Sequence, residues 1–250
     1  MDLLIQAKEK LIKLLQQQAI REISIQVSAR GLTPEEAIGL PGRTDYPIMN
    51  GKEVMIEANC DGAFGQAFTD APAFFNGTLT EVLQMPLEKT SDRALLVATL
   101  NAVLRKHQLA EKTVHCKNEE PEQCSQSLMP WLESKLTEGR KIGLIGLQPA
   151  MLESLSETFG PQNIMASDLN PNTIGTVKWS VTILDGSCDN ERIIEASDFI
   201  LVTGSSIVNG SFNELYKSLR TKTKSFAAFG NTISGVASLL SIPHVCFYGR

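Results

Sequence analysis

The sequence predicts an α/β protein with a doubly wound parallel sheet in its C-terminal half and a smaller α+β domain before it. Two observations predict this fold class. Beyond residue 141, short apolar runs alternate with helical segments, as in strands covered on both faces. Before residue 110, helical spacing is mixed with period-two alternation. We therefore expect domains at 1–110 and 128–250, joined by a polar, acidic linker at 111–127.

The composition is that of an ordinary globular protein. Of 250 residues, 42% are hydrophobic and 20% are charged, and the formal net charge is −5. Basic residues form no run longer than two, so the chain lacks the charge pattern of nucleic-acid binding. No stretch reaches the ~20 apolar residues that cross a bilayer, and five scattered cysteines do not suit a disulfide framework. We expect a cytoplasmic protein with reduced thiols and no membrane or nucleic-acid partner.

The first elements follow from the spacing of apolar residues. Helical spacing predicts an amphipathic helix over residues 2–17. Alternation at 23–29 and 54–58 predicts two antiparallel strands around a Gly/Pro-rich connection at 31–51. A third strand of a meander is compatible with this pattern.

Two helices are predicted at the end of the first half. Thr78-x-x-Glu81 is a capping box, in which the Thr hydroxyl and the Glu carboxylate each accept from the other residue's N–H, and it opens a short helix. Ser91 is the predicted cap of a longer helix through His107. The first half therefore has the mixed order of an α+β domain.

The second half is predicted to alternate regularly. A helix at 128–136, stopped by Gly139, leads into it. Strands are expected at 141–147, 163–167, 199–203, 224–229 and 244–248. Helices are expected at 149–159, at 190–197, from a capping box Ser211-x-x-Glu214, and at 232–241. Right-handed crossovers would place the strands parallel in one sheet.

Ligands of such sheets bind outside the carboxyl ends of the strands, so the residues after each strand are the candidates. After the first strand, Gly146 allows a tight turn, and the following helix, with Gln148 before it, leaves N–H groups that could dock an anion. The alternative is a plain strand-to-helix turn. Asp168 lies 22 residues after Gly146, close to the offset of a ribose-binding carboxylate, and Asn170 follows it. A turn starter explains this pair equally well.

Two further clusters follow later strands. Residues 203–211 combine hydroxyls, an amide and glycines after a very apolar strand, a composition that favours ligand binding. Residues 230–235 open the last helix, with Thr232 as its predicted cap. Outside the sheet, the glycine-rich segment 60–77, which includes Thr69, could form a flap over a neighbouring surface or be pinned in the core by its phenylalanines.

Metal ligands are sparse in the sequence. His115, Cys116 and Cys124 lie in the acidic linker, but a spacing of eight between the cysteines is not a zinc-site spacing, and a solvated loop explains the charges. Asp168 and Cys60 are the remaining candidate ligands for a divalent metal. The nucleophile elbow, the P-loop and the H-E-x-x-H motif are all absent.

Several motifs together resemble a known family. The run ASDFILVTGSSIVNGSF at 196–212, with KIGLIGLQPAM, ASDLNP and FAAFGNTISG, resembles the C-terminal domain of bacterial and archaeal proteins of unknown function that carry a heavy-metal chelatase label. AFGQAFTD and ATLNAVL in the first half are similar to the companion domain. The resemblance implies a Rossmann-like C-terminal domain, an enolase-N-terminal-like first domain and an active-site cleft between them. Asn231 stands where many relatives are expected to have proline.

The resemblance and the four clusters define the expected cleft. Its predicted ligand-binding residues are Thr69, Gly146, Gln148, Asp168, Asn170, Thr203, Gly204, Ser205, Ser206, Asn209, Gly230, Asn231 and Thr232. The leading hypothesis is heavy-metal chelation, or the binding of a metal complex or another small molecule. The alternative is a nucleotide- or phosphate-dependent enzyme, and a homo-oligomer stays open.

Overall fold

The computed structural model describes residues 2–18, 24–50, 53–137 and 140–250. Its helices are α1 (Leu3–Gln17), α2 (Pro34–Ile38), α3 (Leu79–Leu83), α4 (Thr90–Lys106), α5 (Glu120–Glu133), α6 (Pro149–Phe159), α7 (Asn190–Ala196), α8 (Ser206–Asn209), α9 (Phe212–Thr221) and α10 (Ser234–Leu240). Its strands are β1 (Gln26–Leu32), β2 (Val54–Cys60), β3 (Ala63–Thr69), β4 (Phe75–Thr78), β5 (Ile142–Ile145), β6 (Ile164–Asp168), β7 (Val177–Lys178), β8 (Val181–Asp185), β9 (Phe199–Thr203), β10 (Ser225–Phe229) and β11 (His244–Val245).

The predicted α/β class is confirmed. Four antiparallel strands form one sheet in the order β3-β2-β1-β4, and seven strands form a second sheet in the order β11-β10-β9-β5-β6-β8-β7. All pairs of the second sheet are parallel except β7 with β8. After β5, the chain forms β6, β7 and β8 on one side of that strand. It then crosses to the other side of β5, where it forms β9, β10 and β11. The two directions diverge between β5 and β9, which is where open α/β sheets bind their ligands.

Helix α4 connects the two halves of the molecule. It packs on β2 and β3 and also contacts α8 and α10, and it is buried from Arg93 to Leu104. Arg93 donates from Nε to the Val208 oxygen and from Nη2 to the Ile207 oxygen, each at 3.0 Å. A helix buried on all sides shows no amphipathic stripe, because every face has an apolar neighbour.

Several predicted elements differ in the structure. Helix α4 begins at Thr90 after Lys89, so Ser91 is not its cap. Ser211 does not form a capping box with Glu214, because its hydroxyl donates to Asn209 Oδ1 at 2.7 Å. The box at Thr78 and Glu81 is present as predicted.

Other elements lie in segments that were predicted as loops. Helix α2, with its own capping box at Thr33, lies within the predicted connection, and strand β8 runs parallel to β6 without having been predicted. The segment 60–77, predicted to form a flap or to be pinned in the core, contains all of β3 and most of β4. Helix α5 begins at Glu120 inside the stretch predicted as a linker. The domain boundaries and the enolase-like character of the first half stay predictions.

The first residue of the predicted strand at 23–29, the last residue of the predicted connection at 31–51 and the predicted helix stop Gly139 lie outside the described residues. Within the described ranges, helices that combine the length and the apolar character of a membrane span are not found. This agrees with the sequence, in which charges interrupt every long apolar stretch.

Candidate functional site

A cavity of about 730 Å³ lies at the carboxyl ends of β10, β9, β5 and β6, between the two halves of the chain. Every residue predicted for ligand binding lines it except Gly204. From the first half, the end of β3 contributes Thr69, and Tyr46 and Ile48 contribute apolar surface. The turns after separate strands, which the alternation predicts to converge, therefore line one cavity in the structure.

Gly204 and Cys60 lie elsewhere. A side chain at Gly204 would approach Ile233 Cβ to 2.9 Å and the Phe229 oxygen to 2.9 Å, so this glycine serves close packing behind the cavity wall. Cys60 is fully buried in the hydrophobic core. Burial raises the pKa of its thiol to about 12, and the thiol stays protonated. Neither residue is placed to contact a ligand in the cavity.

The floor of the cavity depends on the turn at Gly146. This residue has φ of +90°, and a Cβ added to it would lie 2.3 Å from Thr203 Cγ2. Its N–H donates to the Ser167 oxygen at 2.9 Å. Glycine is therefore required both by the left-handed backbone and by the close approach of the β5 and β9 ends.

Two N–H groups of the turn into α6 already have side-chain partners within the protein. Leu147 N, just before the helix, donates to Asp168 Oδ2 at 2.7 Å, and Met151 N donates to the Gln148 side-chain oxygen. Asp168 Oδ1 also accepts from Asn170 N at 2.7 Å. These acceptors occupy part of the positive end of the helix, which disfavours an anion there.

The loop after β9 is ordered by its own polar side chains. Thr203 Oγ1 and Ser205 Oγ share a hydrogen bond of 3.0 Å. The Ser206 hydroxyl donates to the Thr203 oxygen, and Asn209 Oδ1 accepts from Ser211 N at 3.0 Å. The hydroxyl oxygens of Thr203 and Ser205 keep lone pairs that a ligand could use.

The loop after β10 reaches across to the first half. Thr232 Oγ1 accepts from Phe68 N at 3.0 Å, so Thr232 joins β3 to this loop and does not cap α10, which begins at Ser234. Asn231 is almost fully buried, and its Oδ1 has no hydrogen-bond partner among the described residues. A buried acceptor without a partner is costly, and a cation or a donor in the cavity would relieve that cost.

An ion-pair network holds the segment that carries Tyr46, which lines the cavity, against the second half of the chain. Arg43 bonds Asp45 Oδ1 at 2.8 Å and forms an ion pair with Glu153 on α6. Trp179 Nε1 donates to Glu153 at 3.0 Å, and its ring lies 5.2 Å from the Arg43 guanidinium. The segment that carries Tyr46 is therefore attached to α6 and to the β7–β8 hairpin.

Two carboxyl groups of the cavity, those of Glu53 and Asp70, are not among the predicted site residues, although Asp70 lies in the segment 60–77. Both line the cavity together with Asp168, and its described lining contains no Lys or Arg. Burial, followed by repulsion from Asp168 and Asp70, raises the pKa of the Glu53 carboxyl to about 7. Glu53 precedes β2 by one residue in a segment without periodicity, so no sequence pattern pointed to it.

Neutralising Glu53 should stabilise the protein in a pH-dependent way. The carboxyl ionises at its ordinary pKa of 4.5 in the unfolded chain and near 7 in the folded chain, so its ionisation lowers stability as pH rises through this window. One pH unit is worth about 1.4 kcal/mol, and solvent in the cavity screens part of the effect. We expect Glu53→Gln to raise the free energy of unfolding by about 2 kcal/mol at pH 8 and hardly at all at pH 4.

Urea titrations at both pH values check this result. Glu9→Gln, at an exposed position of α1, is the matched control and should change the free energy of unfolding by less than about 0.5 kcal/mol. Equal effects of Glu53→Gln at pH 4 and pH 8 would contradict the assigned ionisation.

Thiols and an imidazole also line the cavity, namely Cys116, Cys124, Cys246 and His115. His115 Nδ1 lies 2.6 Å from the Cys116 oxygen, so Nδ1 carries the proton and donates it. Burial lowers the pKa of His115 to about 4, and the ring is neutral at pH 7. Spacing along the chain could not reveal this group, because Cys246 joins it only through the fold.

Comparison with known proteins agrees with this architecture. A family model for DUF364, described as "Putative heavy-metal chelation", matches residues 131–239. No curated protein matches the chain. A DUF364 structure of unknown function from Pyrococcus horikoshii has a TM-score of 0.56 and 16% identity, over 92% of this chain and 79% of that chain.

A second DUF364 structure of unknown function, from Desulfitobacterium hafniense, has a TM-score of 0.50 and 11% identity, over 75% of this chain and 71% of that chain. At such identities the likeness of the structures shows a shared fold alone. The matched residues 131–239 run from α5 to α10 and include most of the strand ends that form the cavity floor. The similarity to the DUF364 family that the motifs suggested is therefore supported by the family model over residues 131–239, and the two structures share the fold.

Proposed function

We propose that the cavity binds a cationic ligand, namely a divalent metal ion held in a small-molecule complex. The observation that carries this proposal is the charge of the lining. Glu53, Asp70 and Asp168 contribute carboxylates, and none of the described lining residues is Lys or Arg. Carboxylates in a partly desolvated cavity attract a cation and repel an anion, and a bound cation would favour the ionised form of Glu53, whose pKa is about 7 without one.

The donor set favours a complex over a bare ion. Among the described residues, no group of three or more His, Cys, Asp and Glu side chains is arranged to hold a metal. A divalent metal needs four to six donors or more, so the ligand itself has to bring the rest. A volume of about 730 Å³ is that of a site for a drug-sized molecule.

The lining also offers oxygen atoms to such a complex. Asn231 Oδ1 is buried without a partner, and Thr203 and Ser205 present hydroxyl oxygens. Apolar residues such as Ile48 and Met151 can contact the organic part of the ligand. The family description, heavy-metal chelation, supports the same class of ligand.

The nucleotide alternative is less well supported. Phosphate groups bind free N–H groups at helix N-termini or side chains of Lys and Arg. At the turn into α6, Asp168 and Gln148 already accept from Leu147 N and Met151 N. A phosphate would also be repelled by the carboxylates of the cavity.

Isothermal titration tests the proposal with Ni²⁺, Co²⁺ and Zn²⁺, each alone and as its cationic 2,2′-bipyridine complex. We expect at least one complex to bind, and to lose about tenfold in affinity for each of Glu53→Gln and Asp70→Asn, or about 1.4 kcal/mol. Glu9→Gln should leave the affinity unchanged, because it is exposed on α1. Absence of binding by all complexes, or equal affinities in all variants, would refute the proposal.

A further inference from the structure

The chain has three histidines, and the described lining of the cavity contains one of them, His115. His244 Nε2 bonds the Gly230 oxygen at 2.8 Å, and His107 directly follows the last residue of α4. The proposed function rests on oxygen donors, so it leaves the His115 ring without a role.

A hydrogen bond fixes which nitrogen of His115 carries the proton. Nδ1 lies 2.6 Å from the Cys116 oxygen, and a carbonyl oxygen can only accept, so Nδ1 donates. The lone pair of the neutral ring is then on Nε2. Histidines that bind metals are commonly oriented in this way, with one ring nitrogen donating to a carbonyl group and the other facing the metal.

The second ring nitrogen is free and accessible. Within the described ranges, the hydrogen bonds of His115 involve its backbone N–H and Nδ1, and none involves Nε2. The buried polar atoms without a partner do not include Nε2 either, so this atom is not enclosed by the protein. Because the ring lines the cavity, its free lone pair is available to a ligand there.

The surrounding contacts hold His115 in place. Its backbone N–H donates to Gln66 Oε1 at 2.8 Å, and the Phe68 ring meets the imidazole edge to face, with the ring centroids 5.3 Å apart. On the preceding residue, Val114 and Arg250 exchange two backbone hydrogen bonds of 2.8 Å. A donor that is positioned in advance loses little conformational freedom when it binds.

A second unsatisfied atom belongs to the same part of the wall. Phe68, which packs on the His115 ring, donates its N–H to Thr232 Oγ1 at 3.0 Å. The residue before Thr232 is Asn231, whose buried Oδ1 lacks a hydrogen-bond partner among the described residues. A water or an amine bound to a metal is a strong donor, so a metal complex beside His115 could supply the bond that Asn231 lacks.

A single imidazole defines the kind of complex that can bind. As stated above, no group of three or more ionisable donors is arranged for a metal within the described ranges. One nitrogen cannot hold a bare ion tightly, because such ions need four or more donors. The ligand must therefore bring most of its donors and leave one coordination position open or filled by an exchangeable water.

We propose that His115 Nε2 coordinates the metal of the bound complex, and that the cavity selects cationic complexes of imidazole-binding metals such as Cu²⁺, Ni²⁺ or Zn²⁺ with one exchangeable position. Nε2 gives its lone pair to the metal, and one bound water leaves. Nδ1 keeps its proton and its bond to Cys116, so no proton is released. This inference rests on the proposed function, because it specifies which of the complexes attracted by the carboxylates bind.

Isothermal titration compares two complexes. Copper(II) terpyridine has an exchangeable position, whereas tris(ethylenediamine)cobalt(III) has none and carries a higher positive charge. Loss of a partner outside the coordination shell commonly costs about 10–100-fold in metal affinity, so loss of the ligand itself in His115→Gln should weaken copper binding about tenfold or more. The affinity for the cobalt complex should not change. His107→Gln is the matched control, because His107 does not line the cavity, and it should bind both complexes like the wild type.

Electron spin echo envelope modulation of the bound copper complex tests the bond in the unmodified protein. A coordinated imidazole gives modulation from its remote nitrogen, here Nδ1, whereas terpyridine has no remote nitrogen. We expect the signal in the wild type and in His107→Gln, and its loss in His115→Gln. A copper complex that binds without this signal, or equally well to His115→Gln, would overturn the inference and leave the proposed function intact. Failure of both these complexes and the bipyridine complexes to bind would overturn both.

Discussion

Gly65→Ala is expected to lower the free energy of unfolding by about 3 kcal/mol or more. A Cβ at this position of β3 would lie 2.2 Å from Ala102 N, 2.4 Å from the Ala98 oxygen and 2.7 Å from the Asn101 carbonyl carbon, all backbone atoms of α4. Backbone atoms of a buried helix cannot rotate away, so β3 and α4 must separate. Overpacking of cores commonly costs about 1–3 kcal/mol, and a clash with backbone lies at the upper end or above.

Urea denaturation of the two proteins measures this effect. Gly42→Ala is the control, because nothing lies within 4 Å of its added Cβ and its φ is not left-handed. We expect a change of less than about 0.5 kcal/mol for the control, as for other surface positions. Equal stabilities of Gly65→Ala and Gly42→Ala would contradict the close approach of β3 to α4.

The same clash should weaken ligand binding. Strand β3 ends at Thr69, and its Phe68 N–H donates to Thr232 in the loop after β10. Displacement of β3 therefore moves two parts of the cavity wall. For this reason, a metal complex should bind Gly65→Ala more weakly than the wild type under conditions where both are folded.

The strand ends were predictable from the sequence because a general rule connects them. Parallel strands present their carboxyl ends at one edge, so Gly146, Asp168, Thr203 and Gly230 had to lie close together once the alternation was recognised. Gly204 also directly follows a strand, but a side chain there would face the packed residues Ile233 and Phe229 and not the cavity. This depends on tertiary contacts that the sequence does not show. Position after a strand thus predicted proximity, and it did not predict which atoms face the cavity.

The parts of the site that were missed depend on contacts between distant segments. Glu53 reaches the cavity from a stretch without periodicity, and Cys124 and Cys246 line the same cavity although they are far apart in the chain. Thr232 has the sequence context of a helix cap, yet its hydroxyl bonds Phe68 of the other half. Local patterns cannot show which of two possible partners a side chain takes, because the choice depends on tertiary structure.

Asn101 joins the two halves through four hydrogen bonds. From the middle of α4, its Nδ2 donates to the Gln66 oxygen at 2.9 Å, the Thr232 oxygen at 3.0 Å and the Asn231 oxygen at 3.2 Å. Its Oδ1 accepts from Gly235 N at 2.7 Å. Asn101 is fully buried, so removal of its amide takes one hydrogen bond from each of these four backbone groups, of which the Gln66 oxygen keeps Asn231 Nδ2 and the Asn231 oxygen keeps Ser234 N as donors.

We expect Asn101→Asp to be the most destabilising single change, at about 4 kcal/mol or more at pH 8. A carboxylate would face three carbonyl oxygens and would be buried without a positive partner. Its folded-state pKa would rise above the ordinary value, so stability should fall as pH rises through that window and recover towards pH 4. Asn101→Ala should lose about 3 kcal/mol at both pH values, and exposed Asn172→Asp should lose almost nothing.

Urea titrations at pH 4.5 and pH 8 compare the three variants. An Asn101→Asp protein with the same stability at both pH values would show that position 101 is not buried against these carbonyl groups, and the junction between α4 and the cavity loop would then need another explanation.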